Sequence, residues 1–167
     1  MSDVYASIAL GAPVCTTRFP RHSLFRRVMA LVWAIRIVRA FDAGGSTEAL
    51  RLLSQVPRLA HAVKAPSTAL QVYQARIDAA SVRSWLHLLI DARACFSESL
   101  ALCAGLWQLG WSCYVIVGYA QVEAFVPTPL HAWVEYEGIP ISDPLDVRYG
   151  YVELQRYTPM QEEYHAC

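Results

Sequence analysis

Cys95, His131 and Asp143 occur in that order in a chain of 167 residues, each in a different local pattern. Cys95 opens an apolar helical stretch, Cys95-Phe-Ser-Glu-Ser-Leu-Ala-Leu, while His131 leads a strand-like run, His131-Ala-Trp-Val-Glu-Tyr, and Asp143 closes the next short apolar run. A thiol in the first turn of a helix meets unpaired N–H groups and the positive end of the dipole, which favour thiolate over thiol. An imidazole within reach completes the activation as a thiolate-imidazolium pair, and a carboxylate fixes the ring's tautomer and orientation. These are the groups that a cysteine nucleophile uses.

Each residue also has an ordinary structural role when taken singly. A cysteine on an apolar helix is a small core residue, a histidine on a strand is a satisfied polar group, and an aspartate before Pro144 is a turn residue. The joint arrangement is what favours chemistry. The runs at 130–136 and 139–142 are separated by Glu137-Gly138, a two-residue hairpin signal. Folding back at that turn is expected to lay His131 and Asp143 across the ladder from each other, so that only the packing of the Cys95 helix on the sheet is long-range.

The elements that must position these groups are helices first and strands later. In 22–41 the apolar residues Leu24, Phe25, Val28, Leu31, Val32, Ile35 and Val38 repeat at helical spacing, with a stop at Asp42-Ala-Gly-Gly and a new start at Ser46 running to about Gln55. Leu70, Tyr73, Ile77, Val82, Trp85, Leu86 and Leu89 carry a second helix to about Ile90, and the Cys95 helix reaches Leu109 before Gly110. Strands are expected at 112–119, 130–136, 139–142 and 147–157. The fold class is α+β in one domain, N-terminal helices followed by an antiparallel sheet. Residues 1–22 are expected to be a poorly ordered lead-in, and 23–167 the domain.

Composition narrows the function classes. The apolar fraction is 55%, the charged fraction 17% and the mean hydropathy +0.27, the hydrophobic side for a globular chain. Such a domain is expected to cover part of its surface with a partner. Fourteen basic against fourteen acidic residues leave no net charge and no global basic field for nucleic acid. Arg18, Arg21, Arg26, Arg27, Arg36 and Arg39 crowd the N-terminal quarter and read as the solvated face of an amphipathic helix, with a membrane surface or an acidic partner as the other reading.

No membrane span is expected. Arginines interrupt 28–38 well short of the ~20 residues a span needs. In 100–120, Gly105 and Gly110 break the run, which turns β-rich past Trp111. The N-terminus has no secretory pattern, and the default address is the cytoplasm. Five cysteines, at 15, 95, 103, 113 and 167, form no CxxC pair and no regular spacing, against a disulfide framework or a structural zinc site. Cys103 and Cys113 read as small core residues, and no metal or cofactor is expected.

The Cys95-Phe-Ser-Glu-Ser-Leu-Ala-Leu string, the Tyr114-Val-Ile-Val-Gly strand, the His131-Ala-Trp-Val-Glu block and the Ile141-Ser-Asp143 ending resemble the lasso-peptide leader peptidase family. These are the B proteins of lasso-peptide biosynthesis, a microcin-processing family. The resemblance is loose over 24–143 and specific over 95–143, where nucleophile, His-Ala-Trp-Val-Glu block and hairpin aspartate match in order and spacing. It implies a transglutaminase-like, papain-like cysteine protease fold. It also implies an enzyme that removes the leader from a ribosomal precursor peptide, so that a separate ATP-using lasso cyclase can close the macrolactam. On that resemblance Cys95 is the nucleophile, His131 the general base and then acid, and Asp143 the residue that orients it, with backbone N–H groups near Cys95 as oxyanion donors.

Some members of that family carry an N-terminal winged-helix domain for leader recognition. Here the helix beginning near Ser23 resembles the start of the peptidase portion, with about two dozen residues ahead of it. No leader-recognition domain is therefore expected, and recognition should come from a separate small protein. Two features depart from the family. Residues 126–130, Val-Pro-Thr-Pro-Leu, make the link between Phe125 and His131 longer than is usual, and Glu98 stands where a neutral or basic residue is more familiar. A Glu98 facing the sulfur would raise the thiol pKa by like-charge repulsion, with Arg93 as the offsetting cation. Two other functions stay open on the residues alone: transfer of an acyl group to an amine by the same triad, and a catalytically silent leader-binding subunit.

Overall fold

The computed structural model describes residues 22–58, 68–90, 94–121 and 128–157. The expected lead-in up to residue 21, Cys15, Cys167, Arg18, Arg21, Arg93 and positions 126 and 127 of the long link lie outside the described residues.

Three helices come first. Helix α1, Leu24–Leu53, starts at Ser23, whose side chain accepts a bond from the Arg26 N–H at 3.3 Å and so satisfies one free donor of the first turn. The expected stop at 42–45 is met at Gly45, whose non-helical φ of 70° and ψ of −161° make α1 two helices joined across a kink. Helix α2 spans Thr68–Leu89 and helix α3 Cys95–Leu109. The latter ends where Gly110 turns left-handed and Trp111 N–H returns to the Leu106 carbonyl at 3.0 Å.

The core face of α1 differs from the expected stripe. Of that stripe Val38 is buried and Leu31 and Ile35 are half-buried, while Leu24, Phe25, Val28 and Val32 are exposed and Ala30, Trp33, Ala34 and Ile37 are buried in their place. On α2 Val82 and Leu86 of the expected stripe face inward, joined by Val72, Ala75, Asp78 and Ala79, while Tyr73, Ile77, Trp85 and Leu89 face out. Close approach to α3 is the reason. A Cβ on Gly105 of α3 would lie 3.0 Å from Val82 Cγ1 and 3.2 Å from the Ala30 carbonyl oxygen, so small residues mark the faces that meet. Gly105 is thus a packing position within α3 rather than a break. Nearly every residue of α3 from Ser97 onward is buried, as expected of the central helix of a domain. No helix among the described residues is long and apolar enough to cross a membrane.

The sheet follows, with β1 at Tyr114–Ala120, β2 at Leu130–Tyr136, β3 at Ile139–Pro140, and β4 at Tyr151–Tyr157 after the short helix α4, Val147–Gly150. The strand expected over 147–157 therefore opens with a helical turn. The order is β3-β2-β1-β4, with every pairing antiparallel. Glu137 and Gly138, at φ 50° and 73°, make the predicted two-residue turn, and the Tyr114 hydroxyl accepts the Gly138 N–H at 2.8 Å. Side chains alternate across the sheet. Val115, Ala132, Val134 and Tyr136 join the core shared with the helices, while Ile116, Ala120, Trp133 and Tyr151 form a second cluster.

Candidate active site

Cys95 is the first residue of α3, and the residue before it, Ala94, offers no side-chain cap. The first-turn N–H groups are therefore left for whatever lies at the helix end. Helix and sheet meet here through one peptide unit. Beyond the end of β3, no strand among the described residues pairs with the outer edge of β2 at Ala132, and α3 takes that place. The Ala132 N–H bonds the Cys95 sulfur, and the Ala132 carbonyl accepts the Ser99 hydroxyl at 2.9 Å. Cys95 and Ser99 are one turn apart on the same face, so one helix turn satisfies both backbone groups of the residue that follows His131.

His131 sits between the two other groups. Its Nε2 is 2.8 Å from Asp143 Oδ1, and the ring is also hydrogen-bonded to the Cys95 side chain, which leaves Nδ1 as the nitrogen for the sulfur. The ring stacks on Trp133, two residues along β2, with centroids 6.1 Å apart and planes at 22°, and packs on Tyr151 at 5.3 Å. Trp133 is held in turn: its indole N–H donates to Glu135 Oε1 at 2.8 Å, and the fully buried Glu135 carboxylate takes Arg148 Nε at 2.6 Å and Arg148 Nη2 at 2.5 Å.

Asp143 does not reach His131 as a ladder partner. Strand β3 ends at Pro140, three residues earlier than the expected geometry required. Residues 141–143 instead form a bend tethered to β2, with Ile141 N–H on the Val134 carbonyl at 2.9 Å and Val134 N–H on Ser142 Oγ at 2.8 Å. The Ser142 hydroxyl then donates to Asp143 Oδ2 at 2.5 Å. The side-chain oxygen of Ser142 replaces the backbone acceptor that a continued strand would have supplied.

The electrostatics follow from these contacts. The bond to His131 is the leading cause that holds the Cys95 thiol below its ordinary range; burial opposes it, and N–H groups of Ala132 and Phe96 add to the lowering. His131 is pushed up to about 9, first by the bond to Asp143 and then by the bond to Cys95. Burial raises the Asp143 carboxyl, but the bonds from His131 and Ser142 and the charge of Arg83 outweigh it, leaving the group below the usual carboxylate range. A lowered thiol beside a raised imidazole is the direction of shift that a thiolate-imidazolium pair requires.

Glu98 turns away from the role feared for it. It pairs with Arg83 Nε at 2.5 Å and with His87 Nε2 at 3.2 Å, both on α2. Arg83 and Arg76 were missed as site residues, because α2 reads in sequence as an apolar period. Their spacing of seven, two helical turns on one face, was the available signal. Arg76 donates to the carbonyls of Pro140 and Asp143 at 2.9 and 3.1 Å. Cys103 and Cys113 are fully buried free thiols with sulfurs 3.7 Å apart. Burial leads the causes that push the Cys103 thiol well up, the opposite of Cys95. Among the described residues no group of three or more His, Cys, Asp or Glu is arranged to hold a metal.

No curated protein and no solved structure matches the chain significantly. The transglutaminase-like superfamily profile matches residues 25–161, which takes in the site, the sheet and helices α1 to α4 except Leu24. A central helix with a cysteine in its first turn, laid against an antiparallel sheet that presents a histidine, thus comes with a family assignment over most of the chain. The chain belongs to the transglutaminase-like superfamily, which includes cysteine peptidases and acyltransferases.

Proposed function

We propose that the protein is a cysteine peptidase that removes the leader from a lasso-peptide precursor before macrolactam formation, with Cys95, His131 and Asp143 as its triad in a papain-like arrangement on one domain over 23–167. The observation that carries this reading is the His131 ring, bonded to the Cys95 thiol and with Nε2 2.8 Å from Asp143 Oδ1. The resemblance of the blocks around these residues to the leader peptidases supplies the substrate.

In the proposed reaction the Cys95 thiolate attacks the carbonyl carbon at the leader-core junction. The C–N bond breaks as the His131 imidazolium gives its proton to the departing amine of the core peptide, and the leader is left as a thioester on Cys95. Water, deprotonated by His131, attacks the thioester and releases the leader with a free carboxylate. Asp143 keeps the ring oriented and its cationic form favoured throughout. N–H groups of the first turn of α3 are the oxyanion donors in this scheme.

A cytoplasmic address, a separate leader-recognition protein and the lasso cyclase belong to the same proposal. Apolar side chains exposed at Leu24, Phe25, Trp85 and Leu88 support a covering partner. A pull-down with the recognition protein that returns nothing removes that part.

The deciding experiment incubates the protein with a lasso precursor and its recognition protein and reads masses. Leader plus core is expected. An amine adduct would make the protein an acyltransferase on the same triad, and unchanged precursor would make it a silent binding subunit. Cys95→Ala abolishes cleavage with the fold kept. Cys103→Ala is the control, losing stability on the order of 1 kcal/mol through a small cavity and leaving the chemistry intact.

A further inference from the structure

Arg83 of α2 touches both halves of the site at once. Its Nε donates to Glu98 Oε1 at 2.5 Å, in the first turn of α3. Its Nη1 donates to the Ser142 carbonyl at 2.6 Å, and its Nη2 lies 3.9 Å from Asp143 Oδ2. The guanidinium is a planar fork with five donors in fixed directions, which lets one side chain fix the separation of two elements. About a third of the Arg83 side chain is exposed, whereas Glu98 and Asp143 are less so.

The charges around it explain why a cation is needed there. Among the described residues the titratable and charged groups of this cluster are Cys95 and Glu98 on α3, Arg76, Arg83 and His87 on α2, His131 on β2, and Asp143 in the bend. Glu98 is a carboxylate in the first turn of the helix that Cys95 opens, and Asp143 is the carboxylate bonded to the imidazole that meets the sulfur. An uncompensated negative charge three residues along the helix from Cys95 opposes the thiolate. Glu98 faces α2 because Arg83 and His87 stand there, and of these only Arg83 also reaches the Asp143 segment.

We propose that Arg83 is a positioning residue: its guanidinium ties the first turn of the Cys95 helix to the bend that carries Asp143, holding Glu98 off the sulfur and Asp143 on the imidazole. The inference rests on the reading of Cys95 as the nucleophile, and it concerns a residue that acts through Glu98 and the Asp143 segment. Arg76, which donates to the Pro140 and Asp143 carbonyls, steadies the same segment, and among the described residues it makes no bond to α3.

The test is the pH profile of Cys95 alkylation by iodoacetamide in the full chain, followed at Cys95 by peptide mass, in the wild type, Arg83→Met and Arg83→Lys. Alkylation reads the thiolate directly. For Arg83→Met the profile is expected to move up by about one pH unit, a fall of about tenfold in rate at neutral pH. Arg83→Lys keeps a cation but loses the fork and is expected to move the profile the same way by less. Melting temperatures of the same variants report folding. An unmoved profile in either variant that folds, whether or not its melting temperature drops, overturns the proposal, because a merely structural arginine would lower stability alone. Iodoacetamide is not the precursor, so failure of the wild type to cleave would remove the peptidase reading and leave this result standing.

Discussion

Ser99 donates its hydroxyl to the Ala132 carbonyl oxygen at 2.9 Å, both groups buried, and so pins the helix that begins at Cys95 to the strand that carries His131. The bond is 33 residues long in sequence and one peptide away from the site. It sets the distance from sulfur to imidazole more directly than any contact within the hairpin.

Ser99→Ala leaves that buried carbonyl without a partner, which costs about 1–3 kcal/mol. Urea unfolding measures it. The variant is also expected to alkylate more slowly at Cys95, since the Ala132 N–H shifts with its peptide. Stability and alkylation equal to wild type would show that the pin is dispensable.

His131 should titrate near 9 in the folded protein, as the bonds to Asp143 and Cys95 require. NMR of the ring reads this, and Asp143→Asn should bring it back toward ~6.5. The sign for stability follows from linkage. A pKa raised on folding gives stability that is fully present below the unfolded value of ~6.5 and is lost as pH rises through about 9. Asp143, with its pKa lowered, acts oppositely: its stabilisation is present above the ordinary carboxylate pKa and is lost as pH falls through the folded one. Cys95, with its thiol lowered by the same bond, contributes the opposite slope over the same range, so the His131 assignment is read from the ring itself: an NMR titration at the ordinary ~6.5 contradicts it.

Gly118→Ala should damage the site from the far side of β1. A Cβ there would lie 2.8 Å from Trp133 Cη2 and Cζ3 and 2.9 Å from Tyr151 Cβ. Trp133 cannot yield, because Glu135 holds its indole N–H, and it is the ring on which His131 stacks. The overpacking costs about 1–3 kcal/mol, and cleavage should fall with it. A melting temperature and kcat/KM at wild-type values would mean that the strand absorbs the methyl group.

Arg148→Ala removes the bidentate partner of a fully buried carboxylate. Breaking such a pair costs more than the pair contributes. Arg148 is 43% exposed, so water can take part of its place, and the expected loss is about 1–3 kcal/mol. Adding Glu135→Gln should return part of it. A double variant less stable than Arg148→Ala alone would refute the account of the buried charge.

The features legible along the chain are local. The cysteine at a helix start, the Gly110 stop, the Leu130–Tyr136 strand and the Glu137-Gly138 turn follow from capping, period and turn chemistry within a few residues, and each appears at its expected place. The order of helices and strands follows from the same signals, and with it the α+β class. The tertiary structure alone decided which face of α1 and α2 turns inward. Large apolar residues lie on two sides of both helices, and the choice went to the side whose alanines and Gly105 let backbones approach. It also decided how Asp143 reaches His131, because β3 stops at Pro140 and Ser142 takes over the tether. The shared helix face of Arg76 and Arg83 is legible in their spacing, but what they and Ser99 bind is not, because each acts through a partner between 15 and 67 positions away. A side chain's neighbours along the chain fix its helix or strand; its neighbours across the core fix its charge and its aim.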